Sequence, residues 1–143
     1  MIRKILAVIA GVVVAILTIF MIERLGHAVY PPPTGIDFSD PEAMSAYTDN
    51  ASAMELLFPA LAWVVATFLG GSLATAIARG APMVNAAIIG GLILFGTVMN
   101  LVMIPHPLWF SIVAIVAIIA AIFGTARFAA RFVHPAPAAV DTG

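Results

Sequence analysis

The sequence predicts an all-α fold, a four-transmembrane-helix antiparallel bundle with a short surface helix in the first extracytoplasmic loop. The chain is 63% hydrophobic and 9% charged, with a mean hydropathy of +1.14, whereas soluble domains carry about 25% charged residues. Four long apolar runs are separated by turns that contain proline or glycine. A soluble fold of 143 residues could not bury this much apolar surface. We therefore expect lipid to be the solvent of most of the chain.

The first predicted span covers about residues 4–30. Ile5–Ile22 contains eighteen residues without a charge, and a span needs about 20 apolar residues. Pro31–Pro33 end the helix because proline donates no backbone hydrogen bond. A cleaved signal peptide is the alternative, with Gly26 and Ala28 as small residues near a cleavage site. The apolar run exceeds the usual signal-peptide core of about 7–15 residues, so we expect an uncleaved span.

Residues 31–52 form the sizeable polar segment of the sequence and are expected to be the first extracytoplasmic loop. Within it, Ser39-Asp40-Pro41-Glu42 has the spacing of a capping box, with Ser39 as the N-cap and proline in the first turn. This pattern predicts a short helix that runs to about Asn50 and lies at the membrane surface.

The other three spans are predicted at about 53–79, 82–104 and 107–132. A second capping box, Ser52 to Glu55, begins the first of these spans, and Gly80 is expected to cap its C-terminal end. The connecting turns, at Pro82 and at Pro105–Pro107, are short. Helices joined by short turns pack as antiparallel neighbours, so we expect this arrangement for the three spans.

The distribution of basic residues predicts the orientation. If the N-terminus is cytoplasmic, the cytoplasmic side receives Arg3, Lys4, Arg79, Arg127 and Arg131. The acidic residues of the 31–52 loop fall on the opposite side, and cytoplasmic loops are usually enriched in Lys and Arg. We therefore expect a multi-pass membrane protein with both termini cytoplasmic. Residues 1–134 would form a single membrane domain and residues 135–143 a flexible cytoplasmic tail.

Small residues at four-residue spacing predict where the helices touch, because interhelical packing in lipid depends on close backbone approach. Gly70, Ala74 and Ala78 form such a row in the second span, and Ala86 and Gly90 form one in the third. These rows predict the tightest packing in the cytoplasmic half of the second and third spans. Contact within one chain and contact in a homo-oligomer both stay open.

Ionisable residues near the end of the first span predict a ligand-binding site. Glu23 and His27 are four residues apart and share a helix face, and charged groups inside a membrane often mark function. We predict a set of Glu23, Arg24, His27, Asn100 and His106, in which the last two come from the third span and its following turn. The alternative is an interfacial anchor, in which these side chains only end the apolar stretch where water begins.

Several classes of function are not indicated. Six basic residues spread over the chain form no patch for nucleic acid, and the absence of cysteine excludes thiol chemistry within this chain. The sequence contains no phosphate-binding glycine loop, nucleophile elbow or zinc-protease helix. We therefore expect no catalytic residue, no metal and no cofactor.

Three stretches carry a resemblance: Arg3-Lys4, Glu23–His27 running into Tyr30–Pro33, and Met103–Phe110. Together they resemble a group of small four-span bacterial inner-membrane proteins of unknown function, of about this length. The resemblance covers nearly the whole chain. It implies a bacterial source and a four-span fold, and it supplies no activity.

The leading functional hypothesis is non-enzymatic binding of a lipid, a small molecule or a protein partner through the outer half of the bundle. An acidic loop above Glu23, His27 and His106, without a recognisable catalytic set, motivates it. The rival hypothesis is an oligomeric small transporter or channel subunit that uses Glu23 and His27. A membrane enzyme acting on lipids is the third.

Overall fold

The computed structural model describes residues 2–37 and 39–133. In this range the chain forms five helices: α1 (Ile2–Val29), α2 (Pro41–Asn50), α3 (Ala53–Ala78), α4 (Pro82–Met103) and α5 (Leu108–Ala130). All except α2 are long and apolar enough to cross a membrane. The predicted all-α bundle is confirmed. The tail predicted at 135–143 lies outside the described residues.

The central helix of the bundle is α3. It packs against α1, α4 and α5, and α4 and α5 also pack together. In the most apolar stretch of α3, 44% of the residues are buried, compared with 17% for α1 and 22% for α4 and α5. The three sequential helices are therefore neighbours as predicted, and the apolar outward faces of α1, α4 and α5 match a lipid environment.

The backbones of α1 and α3 approach each other closely at two glycines. A Cβ added to Gly11 would lie 2.7 Å from the carbonyl oxygen of Gly70, and one added to Gly70 would lie 2.6 Å from that of Gly11. Gly70 and Ala74 of the predicted row in α3 thus approach Gly11 of α1, whereas Ala86 of the row in α4 lies close to Gly71 of α3. The approach of α1 was missed by the sequence analysis, although Ala7, Gly11 and Ala15 repeat the four-residue spacing of the predicted rows.

The N-cap of α2 differs from the prediction. Asp40 holds the cap position, and its carboxylate accepts a hydrogen bond of 2.9 Å from the backbone N–H of Glu42. Ser39 instead donates its hydroxyl and its backbone N–H to the carboxylate of Asp37, at 2.6 and 2.9 Å. These two hydrogen bonds lower the pKa of Asp37. The prediction that Ser39 caps α2 is therefore wrong, because Ser39 is hydrogen-bonded to Asp37 instead.

The turn between α3 and α4 also differs from the prediction. Arg79, rather than Gly80, takes the left-handed C-cap conformation with φ 56° and ψ 41°, and it donates its backbone N–H to Thr75. Ala81, directly before Pro82, is left-handed as well, with φ 52°. An L side chain in this conformation costs about 1–2 kcal/mol. The turn thus places an arginine where glycine would be less strained.

Candidate functional site

A partly open cavity of about 200 Å³ lies at the end of the bundle that carries α2. This end is called the acidic end, because it also carries Glu23, Asp40, Glu42 and Glu55. The cavity is lined by side chains of α1, α2 and α3 and by residues at the turn between α4 and α5. Segments that are far apart in the sequence therefore meet in one site.

Most of the predicted site residues meet in this cavity. Glu23, His27, Asn100 and His106 line it, with Glu23 half-buried and His27 exposed. Arg24 is not among the lining residues: it is exposed, and its guanidinium lies 5.3 Å from the centre of the Phe20 ring. The structure thus brings four of the five residues together. That they bind a ligand stays a prediction.

A second carboxylate in the cavity was missed by the sequence analysis. The pattern identified Glu55 only as part of a capping box, and Ser52 does accept a hydrogen bond of 3.2 Å from its backbone N–H. The side chain of Glu55, however, lines the cavity and accepts a hydrogen bond from the hydroxyl of Tyr47. Neither helical periodicity nor a local motif pairs residues across the link between α2 and α3.

Tyr47 remains a neutral hydrogen-bond donor over the physiological pH range. Burial raises its pKa, and the hydrogen bond and the negative charge of Glu55 add to the effect, so that the pKa reaches about 12. An ionised tyrosine could not donate to a carboxylate. The contact therefore fixes α2 to the first turn of α3 and keeps the carboxylate of Glu55 in place.

The surface helix α2 covers the cavity and is held from its other side by the α4–α5 turn. The hydroxyl oxygen of Thr48 lies 2.5 Å from the carbonyl oxygen of Pro105 and 3.1 Å from that of Met44. Thr48 and Met44 are both buried. The predicted surface helix is thus packed against the bundle rather than lying free on the membrane.

His106 is positioned by its own turn. Its Nδ1 lies 2.6 Å from the carbonyl oxygen of Ile104, and because a carbonyl only accepts, Nδ1 carries a proton. The imidazole also stacks on Phe110, with ring centres 5.0 Å apart and an interplanar angle of 21°. In the neutral ring Nε2 is therefore left as an acceptor.

Aromatic side chains form much of the cavity wall. Tyr30, Phe58 and Trp63 line it, and the rings of Tyr30 and Phe58 meet edge to face at 5.9 Å. Phe58 can pack this closely against α1 because residue 26 is glycine; a Cβ at Gly26 would lie only 3.0 Å from the Phe58 side chain. The lining thus combines carboxylates with aromatic faces, and both kinds of group attract organic cations. Within the described ranges, no group of three or more His, Asp or Glu is arranged to hold a metal ion.

The fold and the cavity define the class of the molecule. It is a multi-pass integral membrane protein, with four apolar helices that could span the bilayer and a polar cavity at one end of the bundle. Comparisons of the chain with protein-family models, with curated proteins and with solved structures found no match.

Proposed function

We propose that this protein is a non-enzymatic membrane protein that binds a small organic cation, an amine, in the cavity at the acidic end. The observation that carries the proposal is the pair of half-buried carboxylates, Glu23 from α1 and Glu55 from α3, in one cavity with aromatic walls. A free amine and the amine of a zwitterionic lipid headgroup share this chemistry.

Charge outside the cavity supports the same ligand class. Asp37, Asp40, Glu42 and Asp49 are exposed around α2, so the surface near the cavity is negative. A cluster of one sign raises the local concentration of oppositely charged ligands and their rate of association. Arg24 is the basic residue nearest in sequence to the cavity, and its side chain is turned to Phe20.

The size of the cavity limits the ligand. Its volume of about 200 Å³ is below the range of about 300–1,000 Å³ that is typical of pockets for drug-sized molecules. A headgroup-sized amine with a few carbon atoms fits this volume. Asn100, Tyr47 and the histidines would supply hydrogen bonds to its other polar atoms.

The orientation forms part of the proposal. We propose that the acidic end faces away from the cytoplasm and that both termini lie inside, in the inner membrane of a bacterial cell. Arg3, Lys4 and Arg79 at the other end support this arrangement, since basic residues favour the cytoplasmic side.

Binding is favoured over transport by the packing beneath the cavity. An apolar cluster fills the interior next to it: Leu56, Ala60, Trp63, Phe110, Ala114 and Ile118. A solute that crossed a single chain would have to pass through these side chains. The transporter hypothesis therefore needs a path formed between several chains.

Calorimetric titration of the detergent-solubilised protein tests the proposal. Ethanolamine and choline are the ligands, and ethylene glycol is the neutral control. We expect both cations to bind, and Glu23→Gln and Glu55→Gln each to weaken binding by about tenfold or more, because each removes a charge-assisted contact.

Glu42→Gln is the matched control, because Glu42 is an exposed carboxylate that does not line the cavity. It should leave the affinity within about twofold, as expected for a distant screened charge. Equal binding by the wild-type protein and the Glu23→Gln/Glu55→Gln double variant would refute the proposal, as would binding of neither cation.

A further inference from the structure

A second charged cavity lies at the opposite end of the bundle, here called the basic end. It has a volume of about 490 Å³ and opens between α1, the C-terminal end of α3 and the N-terminal end of α4. Its lining includes three cationic and three apolar side chains: Arg3, Lys4, Arg79, Val8, Val84 and Ile88. The acidic residues of the described ranges belong to the acidic end. The cavity therefore combines positive charge with an apolar wall.

Arg3 is fixed at the mouth of this cavity. Its Nη2 donates a hydrogen bond of 3.1 Å to the carbonyl oxygen of Ala78, at the C-terminal end of α3. This bond uses one of the five N–H donors of the guanidinium. A cation at a helix C-terminus is also favoured by the helix dipole. The side chain is thus held in place while most of its donors remain to bind an anion.

The N-terminal end of α4 adds to the positive potential. Its N-cap is Ala81, which provides no side-chain hydrogen bond to the first turn. The unpaired backbone N–H groups of a helix N-terminus favour negative charge. The side chain of Asn85 meanwhile donates to the carbonyl oxygen of Gly80 at 2.8 Å, which holds the turn that carries Arg79.

Arg79 occupies its position at an energetic cost. Its φ of 56° lies in the left-handed region, where an L side chain costs about 1–2 kcal/mol, although the next residue, Gly80, would tolerate that conformation. Strained residues that persist in a fold often have a functional reason. A cation required at the mouth of the cavity is such a reason.

Another cavity, apolar and about 300 Å³ in volume, follows about one helical turn further along α1 and α4, and it is here called the groove. Its lining includes Val12, Ile16, Leu92 and Gly96, together with Trp63 of α3. From Ile88 to Gly96 the groove extends about 12 Å at the helical rise, and half of the hydrocarbon core measures about 15 Å. The groove therefore has the length of one leaflet.

We propose that an anionic phospholipid of the bilayer binds here. Its phosphate would lie among Arg3, Lys4 and Arg79 at the N-terminal end of α4, and an acyl chain would lie in the groove between α1 and α4. A cationic mouth joined to an apolar groove complements a lipid that carries a negative headgroup, since basic pockets between membrane helices bind such headgroups. The headgroup cavity at the basic end shares no lining residue with the amine site, whereas Trp63 borders both the groove and the cavity at the acidic end.

Fluorescence quenching of Trp63 tests this proposal. The sequence contains two tryptophans, so Trp109→Phe leaves Trp63, which lines the groove, as the single reporter. The full chain is placed in neutral detergent micelles with a small fraction of brominated-chain phosphatidylglycerol or of brominated-chain diacylglycerol, which carries neither a phosphate nor an amine. We expect phosphatidylglycerol to quench Trp63 more strongly at equal mole fraction.

Lys4→Gln combined with Arg79→Gly should weaken this quenching by about tenfold or more in apparent affinity, because each basic residue contributes to headgroup attraction. Glycine suits the φ of Arg79, so the single Arg79→Gly variant should fold as the parent does and weaken binding by about fivefold. The matched control, Arg127→Gln with Arg131→Gln on α5, removes the same charge from the same end and should change the affinity little.

Three results would overturn the proposal. Equal quenching by the two lipids would show that the headgroup is not recognised. Equal losses in the Lys4/Arg79 and Arg127/Arg131 variants would show a general effect of surface charge. Competition by soluble glycerol phosphate at the lipid's own concentration would show a site for a free anion instead of a lipid.

Discussion

At the scale of single residues, the contact between Tyr47 and Glu55 determines how the cavity is closed. The hydroxyl of Tyr47 donates to the carboxylate of Glu55, which joins α2 to α3 across a short link. Charge-assisted hydrogen bonds are about twice as strong as neutral ones. One phenol thus holds a cavity carboxylate and anchors the helix above it.

The titration of Tyr47 provides a prediction at this scale. Its pKa is raised from about 10 to about 12, so the unfolded state loses this proton at lower pH than the folded state. The stabilising contribution is therefore complete below about pH 10 and is lost as the pH rises to about 12. Near-ultraviolet absorbance can be titrated against pH for the wild-type protein and for the Tyr47→Phe variant. The difference between the two curves should show a phenolate transition centred near pH 12.

The matched comparison for this titration is Glu55→Gln, which removes the negative charge but keeps a hydrogen-bond acceptor. In that variant the Tyr47 transition should move down but stay above about pH 10, since burial, the largest cause of the raised pKa, remains after the carboxylate is removed. A wild-type transition already centred at about pH 10 would show that Tyr47 is neither buried nor bound to Glu55.

At the scale of elements, the bundle depends on the crossing of α1 and α3. The buried residues of α1 are few and small, namely Ala7, Gly11, Ala15 and Gly26. The attraction between membrane helices comes from close packing rather than from the hydrophobic effect. The small residues of α1 therefore carry much of its association with the rest of the molecule.

Gly11→Ala and Gly70→Ala test this crossing. Each added methyl would lie within 2.7 Å of a backbone oxygen, so the two helices would have to separate. We expect each variant to lower the free energy of unfolding by about 1–3 kcal/mol, as overpacked sites do. Thermal or denaturant unfolding in detergent measures the change.

Gly91→Ala provides the control for the crossing. A Cβ at Gly91 meets no atom within 4 Å, and alanine is the better helix former by about 1 kcal/mol. This variant should be as stable as the wild type or more stable. If Gly11→Ala also left the free energy of unfolding unchanged or raised it, α1 and α3 would not approach each other closely at Gly11.

The elements show which parts of the structure the sequence could predict. The apolar runs predicted the four long helices, because bilayer thickness fixes the length and composition of a span. Glu23, His27 and His106 could be placed at one end for the same reason. The contact of Tyr47 with Glu55 and the left-handed conformation of Arg79 depend on tertiary geometry that no short-range pattern encodes. The approach of Gly11 could have been predicted, since Ala7, Gly11 and Ala15 repeat the four-residue spacing of the predicted rows.

At the scale of the whole molecule, the two ends of the bundle differ in charge. The acidic end carries Glu23, Glu55 and the exposed carboxylates around α2, whereas Arg3, Lys4 and Arg79 lie at the basic end. A bilayer with anionic lipids on one side would interact differently with the two ends. The two proposed sites thus follow the charge asymmetry of the molecule.

Reporter fusions test the orientation that this asymmetry predicts. Fusions at the N-terminus and at residue 143 should both be active only as cytoplasmic reporters, because basic residues flank both ends of the membrane domain. A fusion within 31–52 should be active only as an extracytoplasmic reporter, and one at Gly80 should agree with the termini. Termini on different sides would rule out the four-span arrangement.

The crossing of α1 and α3 also restricts how this sequence can change over evolution. At both Gly11 and Gly70 the obstacle is the main-chain oxygen of the other glycine. A clash with a bulky side chain can be relieved by a compensating mutation to a smaller residue. A clash with a peptide oxygen cannot, because that oxygen is present whatever residue occupies the site. Neither glycine can therefore be rescued by a change at the other, and descendants of this chain should retain both or lose the crossing entirely.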